Sequence, residues 1–216
     1  MEKTMTLGRS KRLLRTREAA HYLSISPWKL RKLIQDGHLP VVQDGAGAPF
    51  LLDVRDLDGY VELWSDPDVM RFLGGQTLPP DEVPQAMERN LGQWERHGLG
   101  LFSVLRKEDE RFVGRIGYLL WDTDSWENAV RAELEGDLEL EIGWTVLSPF
   151  WGKGYATEAA IACRDHAFSE LGRERIISLI EPNNLASIRV AEKIGESYER
   201  DVQLSWGTVG LYSLTA

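Results

Sequence analysis

The chain of 216 residues has one cysteine, Cys163, which excludes an intrachain disulfide and agrees with a reducing compartment. Cys163 sits among alanines in a helix-forming stretch, where a thiol serves as core filler more readily than as a nucleophile. Long apolar runs are also missing. None approaches the roughly 18–20 residues of a membrane span, and the amino terminus lacks a signal-peptide core, so a soluble cytoplasmic protein with no membrane partner is expected. The four histidines, His21, His38, His97 and His166, have no spacing to one another or to Cys163 that suits a metal. No metal is expected. Positive charge is scarce over most of the chain: residues 61–216 hold 15 Lys and Arg against 27 Asp and Glu. Residues 1–34 reverse this, with nine basic residues against Glu2 and Glu18, so the two ends are expected to face different partners. The 43% of apolar residues can fill a real core, and the length suits one ordinary domain plus a small one.

The most informative stretch is LELEIGWTVLSPFWGKGYATEAAIA, residues 138–162. Leu138, Leu140, Ile142, Trp144 and Val146 recur at period two, which predicts a half-buried strand ended by Pro149. Gly152 and Gly154 let the backbone take positive φ, and a helix is expected from Thr157. Backbone N–H groups and the positive end of a helix dipole then converge on one spot, an anion cradle. A Walker loop would need Ser or Thr after Lys153, where Gly154 stands. A dinucleotide fingerprint would need a third glycine where Thr157 stands. Neither nucleotide motif fits.

EIGW at 141–144, SPFWGKGYATEA at 148–159 and EPNNLASIRVAEKIGE at 181–196 together resemble the GNAT superfamily of acetyltransferases, in its RimJ/RimL branch. The resemblance covers about half the chain, with the three motifs in the family's order, and implies an α/β (α+β) GNAT fold. It implies acetyl-CoA as cosubstrate and direct acetyl transfer to an amine, a protein N-terminus or a small molecule. By this resemblance Trp151, Gly152, Lys153, Gly154, Tyr155, Ala156 and Thr157 form the pyrophosphate loop. Trp144, Thr145 and Val146 pair with pantetheine, a backbone N–H near Thr145 polarises the thioester carbonyl, and Asn184 holds pantetheine. Lys193 either reaches a coenzyme A phosphate or is solvated. Glu141 is the expected base for the amine, with Glu139 on the same face as its competitor. Ser187 is the expected proton donor to the thiolate, with a helix-start cap as its plainer role. The tyrosine that serves as general acid elsewhere in the superfamily is replaced by Ala191, which leaves Ser187 or water.

TREAAHYLSISPWKLRKLIQDGHLP, residues 16–40, has the punctuation of two short helices. Thr16 caps the first, Ser26 and Pro27 open the second, and Gly37 stops it. Glu18, Ala19, Ala20, Leu23, Arg31, Gly37 and Pro40 resemble the excisionase/MerR-like winged helix-turn-helix family. That resemblance implies DNA as a partner through Trp28, Lys29, Arg31 and Lys32 on the second helix. The hairpin that follows carries only Arg55, whereas phosphate contacts supply most DNA affinity, so a packing element or homodimer contact is the alternative role.

Domains are expected at 1–49, extending to 62 if Phe50–Val61 belongs to the small domain, and at 50–216 for the acetyltransferase. In the second case Leu51–Val54 is the acetyltransferase's first strand. Residues 79–98 read as a helix, Leu101–Leu105 and Phe112–Trp121 as a hairpin, and the acids of the 121–136 loop either attract a cationic acceptor or are simply solvated. A helix from Thr157 to Leu171, a strand at Arg175–Ile180, a helix at Asn184–Ile194 and a closing hairpin complete a mixed, mostly antiparallel sheet of about seven strands. The rival reading of the whole chain is a transcription regulator whose GNAT domain senses acetyl-CoA without turnover.

Overall fold

The computed structural model describes residues 13–15, 51–130, 134 and 137–216. The chain divides into two compact units, Met1–Asp58 and Gly59–Ala216. In the first, β1 (Leu13–Arg15) pairs antiparallel with β2 (Leu51–Asp53), placing Leu14 opposite Leu52. The helix-turn-helix, with Trp28, Lys29, Arg31 and Lys32, lies outside the described residues.

The second unit holds a sheet in the order β3 (Leu101–Leu105), β4 (Phe112–Asp122), β5 (Leu138–Val146), β6 (Arg175–Ile180), β8 (Gly207–Thr215), β7 (Ser197–Leu204). It has six strands, which corrects the expected seven. The difference is Leu51–Asp53: its backbone hydrogen bonds are committed to Leu13–Arg15, so β3 stands at the edge of the larger sheet. Every neighbouring pair is antiparallel except β5 and β6. A parallel pair needs a crossover, and the helix Tyr155–Ser169 supplies it.

Among the described residues five α-helices accompany the strands: α1 (Val54–Ser65), α2 (Pro67–Met70), α3 (Val83–His97), α4 (Tyr155–Ser169) and α5 (Leu185–Ile194). Asp66 caps α2 by accepting from Asp68 N at 2.9 Å, and its other oxygen accepts from Ser148 N at 3.4 Å, tying α2 to the turn after β5. Gly98, at φ 67°, ends α3. Strand alternation sends Tyr118, Leu120, Leu140, Ile142 and Ile176 to one face of the sheet, where they pack with Ala160 and Ala167 of α4 and Ile194 of α5. Trp121, Ile177, Val202, Leu204, Val209 and Leu211 form a second core. Burying an Ile or Leu side chain contributes roughly 1.5–3 kcal/mol. The first core thus packs Leu140 and Ile142 of β5 against α4 and α5. Among the described residues no helix is long and apolar enough to cross a membrane.

Candidate active site

The loop between β5 and α4 takes its shape from two glycines. Gly152 has φ 73° and Gly154 has φ 88°, backbone conformations that side chains with a Cβ rarely adopt. Nothing lies within 4 Å of where a Cβ would stand at either, so the space over the loop is open. Gly154 is the N-cap of α4, and no side chain caps that helix. The first intrahelical bond is Glu158 N to Gly154 O, 2.9 Å, so the N–H groups of Tyr155, Ala156 and Thr157 point out of the helix start. A phosphate suits this position, because it accepts those donors and complements the helix dipole.

A cavity of about 440 Å³ opens over this loop, between the end of β5 and the start of α5. Trp144, Thr145, Val146 and the loop residues from Trp151 to Thr157 line it, Lys153 excepted. Asn184, Ser187 and Lys193 line it from α5, joined by Arg71 and Arg189, two cations the sequence reading did not single out. Lys153 instead places its ammonium over the Phe150 ring, 5.4 Å from the centroid. The Trp151 indole donates to Val146 O at 2.6 Å, so this residue braces the loop onto β5.

Beyond the cradle the sheet splays. β5 pairs with β4 along its whole length but with β6 at one register only, Glu141 opposite Ile177. Side chains bridge the gap that follows. Leu179 N donates to Glu141 Oε1 at 3.4 Å, and Ser178 Oγ donates to Ile142 O at 3.0 Å. A second, smaller cavity of about 110 Å³ lies here, and the two cavities share Trp144, Thr145, Asn184 and Ser187 as lining residues.

Glu141 lines the smaller cavity and is 7% exposed. Burial pushes its carboxyl up to about 7, against the opposing pull of the Trp121 indole N–H at 2.5 Å, Leu179 N–H and the Arg115 charge. A carboxylate poised near neutrality is suited to taking a proton from an ammonium. Glu139, its competitor, is occupied: Arg175 Nε donates to Glu139 Oε1 at 3.0 Å while its Nη2 binds Glu199 at 2.7 Å. Of these two strand acids, Glu141 is therefore the one that faces a cavity without a cation bound to it.

A second buried carboxyl lies close by. Burial pushes Glu196 up to about 8, reinforced by the charge of Glu141 and opposed by Ser178, whose Oγ lies 3.1 Å from Glu196 Oε1. Ser178 has one hydroxyl proton and gives it to Ile142 O, so a neutral Glu196 can donate to Ser178 Oγ and complete a chain onto the backbone of β5. Glu196 closes the 181–196 motif, which gave it no role, and follows the Gly195 that ends α5.

The two roles weighed for Ser187 separate in space. Asn184 Oδ1 caps α5 by accepting from Ser187 N at 3.1 Å, so the cap uses the serine's backbone and not its hydroxyl. Ser187 Oγ faces both cavities and accepts from the Trp144 indole at 3.1 Å. Position 191 is Ala191, fully buried in the core. His166 Nδ1 lies 2.8 Å from Tyr118 Oη, which donates to Cys163 O at 2.7 Å, and burial pushes the Cys163 thiol up to about 11. None of these three lines either cavity. Among the described residues no three His, Cys, Asp or Glu gather as a metal-binding group.

A family model described as Acetyltransferase (GNAT) domain matches residues 50–196. The Bacillus subtilis protein YkkB is 33% identical over 141 residues, covering 65% of this chain and 75% of YkkB. An N-acetyltransferase named p20 from Bacillus licheniformis is 27% identical over 162 residues, covering 72% and 83%. Among solved structures, a GNAT-family acetyltransferase from Bacillus anthracis superposes with TM-score 0.60 at 26% identity over 76% of this chain and 90% of that one. The aminoglycoside acetyltransferase AAC(6')-Ib, solved in complex with coenzyme A, shares the fold with TM-score 0.58 at 18% identity, covering 74% and 89%.

Proposed function

Because the chain belongs to the GNAT family of N-acetyltransferases, we propose that it carries acetyl from acetyl-CoA directly to an amine bound beside Glu141, without a covalent enzyme intermediate. The observation that carries this reading is the junction of the two cavities at Trp144, Thr145, Asn184 and Ser187, with an uncapped helix start on one side and a near-neutral buried carboxylate on the other. The pyrophosphate falls to the N–H groups of Tyr155, Ala156 and Thr157, with Arg71, Arg189 and Lys193 for the remaining phosphate charge. The pantetheine arm falls to the end of β5, which leaves β6 after Glu141, and to the Asn184 amide. Thr145 or its neighbour supplies the N–H that polarises the thioester carbonyl. Glu141 takes the ammonium proton, directly or through water, and Ser187 Oγ gives a proton to the departing thiolate while taking up the second one that the nitrogen sheds as the C–S bond breaks and the amide forms. EIGW, SPFWGKGYATEA and EPNNLASIRVAEKIGE support the RimJ/RimL branch.

The test is thiol release from acetyl-CoA, followed with the purified full chain against a panel of primary amines. Amine-dependent release together with a mass gain of one acetyl on the amine is the expected result; tight acetyl-CoA binding with no release on any amine would favour a sensor. The N-terminal helix-turn-helix reading rests on sequence alone, on the excisionase-like pattern and the excess of basic residues within 1–34. It predicts salt-sensitive DNA retention that is lost when Lys29, Arg31 and Lys32 are replaced together.

A further inference from the structure

The smaller cavity holds a charge that acetyl transfer itself does not require. In the β4–β5 ladder Arg115 stands opposite Thr145 and Leu119 opposite Glu141. Period-two alternation therefore puts Arg115, Leu119, Glu141, Gly143 and Thr145 on one face of the sheet. All five line the cavity.

Arginine is an expensive occupant of a strand whose neighbours Gly114 and Ile116 are buried. Burial pulls its pKa down from the ordinary value, and its Nε is shut off from solvent with no hydrogen-bond partner. Among the described residues no carboxylate pairs with its guanidinium, which lies over the Trp64 indole at 5.0 Å from the ring centroid. The plain alternative is that Arg115 exists to neutralise Glu141. That role would show as an ion pair, whereas the Glu141 oxygens are taken by the Trp121 indole and Leu179 N–H, and the Arg115 charge is the weakest of the pulls on this carboxyl. Glu181, the other acid lining the cavity, is engaged by the backbone and side chain of Asn183, each at 2.8 Å.

We infer that Arg115 is a specificity residue, reading a carboxylate on the acceptor, so that the substrate is an amine carrying a carboxylate at a distance from its nitrogen. Resting on the acetyltransferase reading, this narrows its acceptor class. Arg115 and Glu141 are offset by four residues in register, roughly 13 Å of strand at the Cα positions, and their long side chains shorten that span. Leu101 and Leu119 form an apolar wall between the two charges. An extended ω-amino acid fits, with its amine at Glu141, its methylenes on the leucines and its carboxylate on the guanidinium fork. A polycation places a second positive charge against Arg115 and is disfavoured.

The experiment compares kcat/KM for 6-aminohexanoate and for its uncharged amide in the wild type, Arg115→Gln and Arg115→Lys. The wild type is expected to prefer the carboxylate by roughly 10–100-fold, the range set by a charge-assisted hydrogen-bonded pair. Arg115→Gln brings the ratio close to one, and Arg115→Lys, which keeps the charge but not the fork, falls between. Should neither variant fold, inhibition of the wild type by hexanoate but not by hexanamide carries the decision. A wild type that prefers the amide or a polyamine, a preference that survives in Arg115→Gln, equal inhibition by the two hexanoyl compounds, or no turnover of any amine while acetyl-CoA still binds would each overturn the inference. Failure of acetyl-CoA to bind would instead remove the acetyltransferase reading on which it stands.

Discussion

Replacing Glu141 with glutamine should exchange activity for a flatter dependence of stability on pH. In the folded chain this carboxyl titrates near 7, against an ordinary value of 4.5, so the native state holds a proton that the unfolded state releases. Stability is therefore lost as pH rises from about 4.5 towards 7, where the slope levels off. Integrating between pH 5 and pH 8 gives a loss of roughly 2.5 kcal/mol attributable to this one group. Glutamine does not titrate, so the variant should lack that slope. It also presents only one acceptor oxygen to two donors, the Trp121 indole and Leu179 N–H, which costs about 1–3 kcal/mol at every pH. Glu141→Gln is thus expected to be less stable than wild type at pH 5 and to match or exceed it at pH 8. Chemical denaturation at the two pH values measures the difference. In turnover, loss of the base should reduce kcat by about 10²–10⁴-fold with acetyl-CoA affinity unchanged. A variant that keeps its turnover within threefold, or a stability difference that is the same at both pH values, would refute the assignment of this carboxyl as a raised, reacting base.

Three further outcomes follow from the same geometry. Ser187→Ala keeps the α5 cap, because Asn184 bonds the backbone at that position, so melting should shift little while kcat falls roughly 10–100-fold; a large loss of stability with full turnover would make the serine structural. Gly143 is not at positive φ, and a methyl there would meet Leu119 at 3.4 Å and come 4.0 Å from Glu141 Oε1, so Gly143→Ala should fold normally, raise the acceptor KM several-fold and leave acetyl-CoA binding alone, as steady-state kinetics with each substrate varied would reveal. Glu196 is raised to about 8, so the wild type loses stability as pH climbs from about 4.5 to 8, and Glu196→Gln should be the more stable protein at pH 9 by an amount on the order of 4 kcal/mol in denaturant titrations.

The cradle was legible in the sequence because everything in it is local. A strand at period two, two glycines and a helix start are neighbours in the chain, and the strand at Arg175–Ile180 and the helix ending at Ile194 fall where the pattern placed them. Helix α4 begins at Tyr155, two residues before the expected Thr157, since Gly154 itself is the cap. The partner of Leu51–Asp53 was not legible: a three-residue apolar strand can pair with any free edge, and the choice is made by Leu13–Arg15, nearly forty residues away. Glu139 and Glu141 share a face and so look alike in the sequence. They are told apart by Arg175, which arrives on a different strand. Arg115 did leave a trace, a lone charge in FVGRIGYLLW between residues destined for an inner strand, but nothing local says whether such a side chain meets solvent, a carboxylate or a cavity. The Glu196–Ser178 contact joins the turn after α5 to β6, and nothing local to either residue announces it.

The central claim, that the loop from Trp151 to Thr157 holds the acetyl donor, is most directly tested by calorimetric titration of acetyl-CoA into the wild type and into Gly154→Asp. Space for the new side chain exists, and aspartate tolerates the left-handed backbone better than most residues, so the variant should fold while setting a negative charge at the helix start. Binding by the wild type and its loss in the variant is the predicted result. Equal affinity in the two proteins, or no binding by the wild type, would contradict the account.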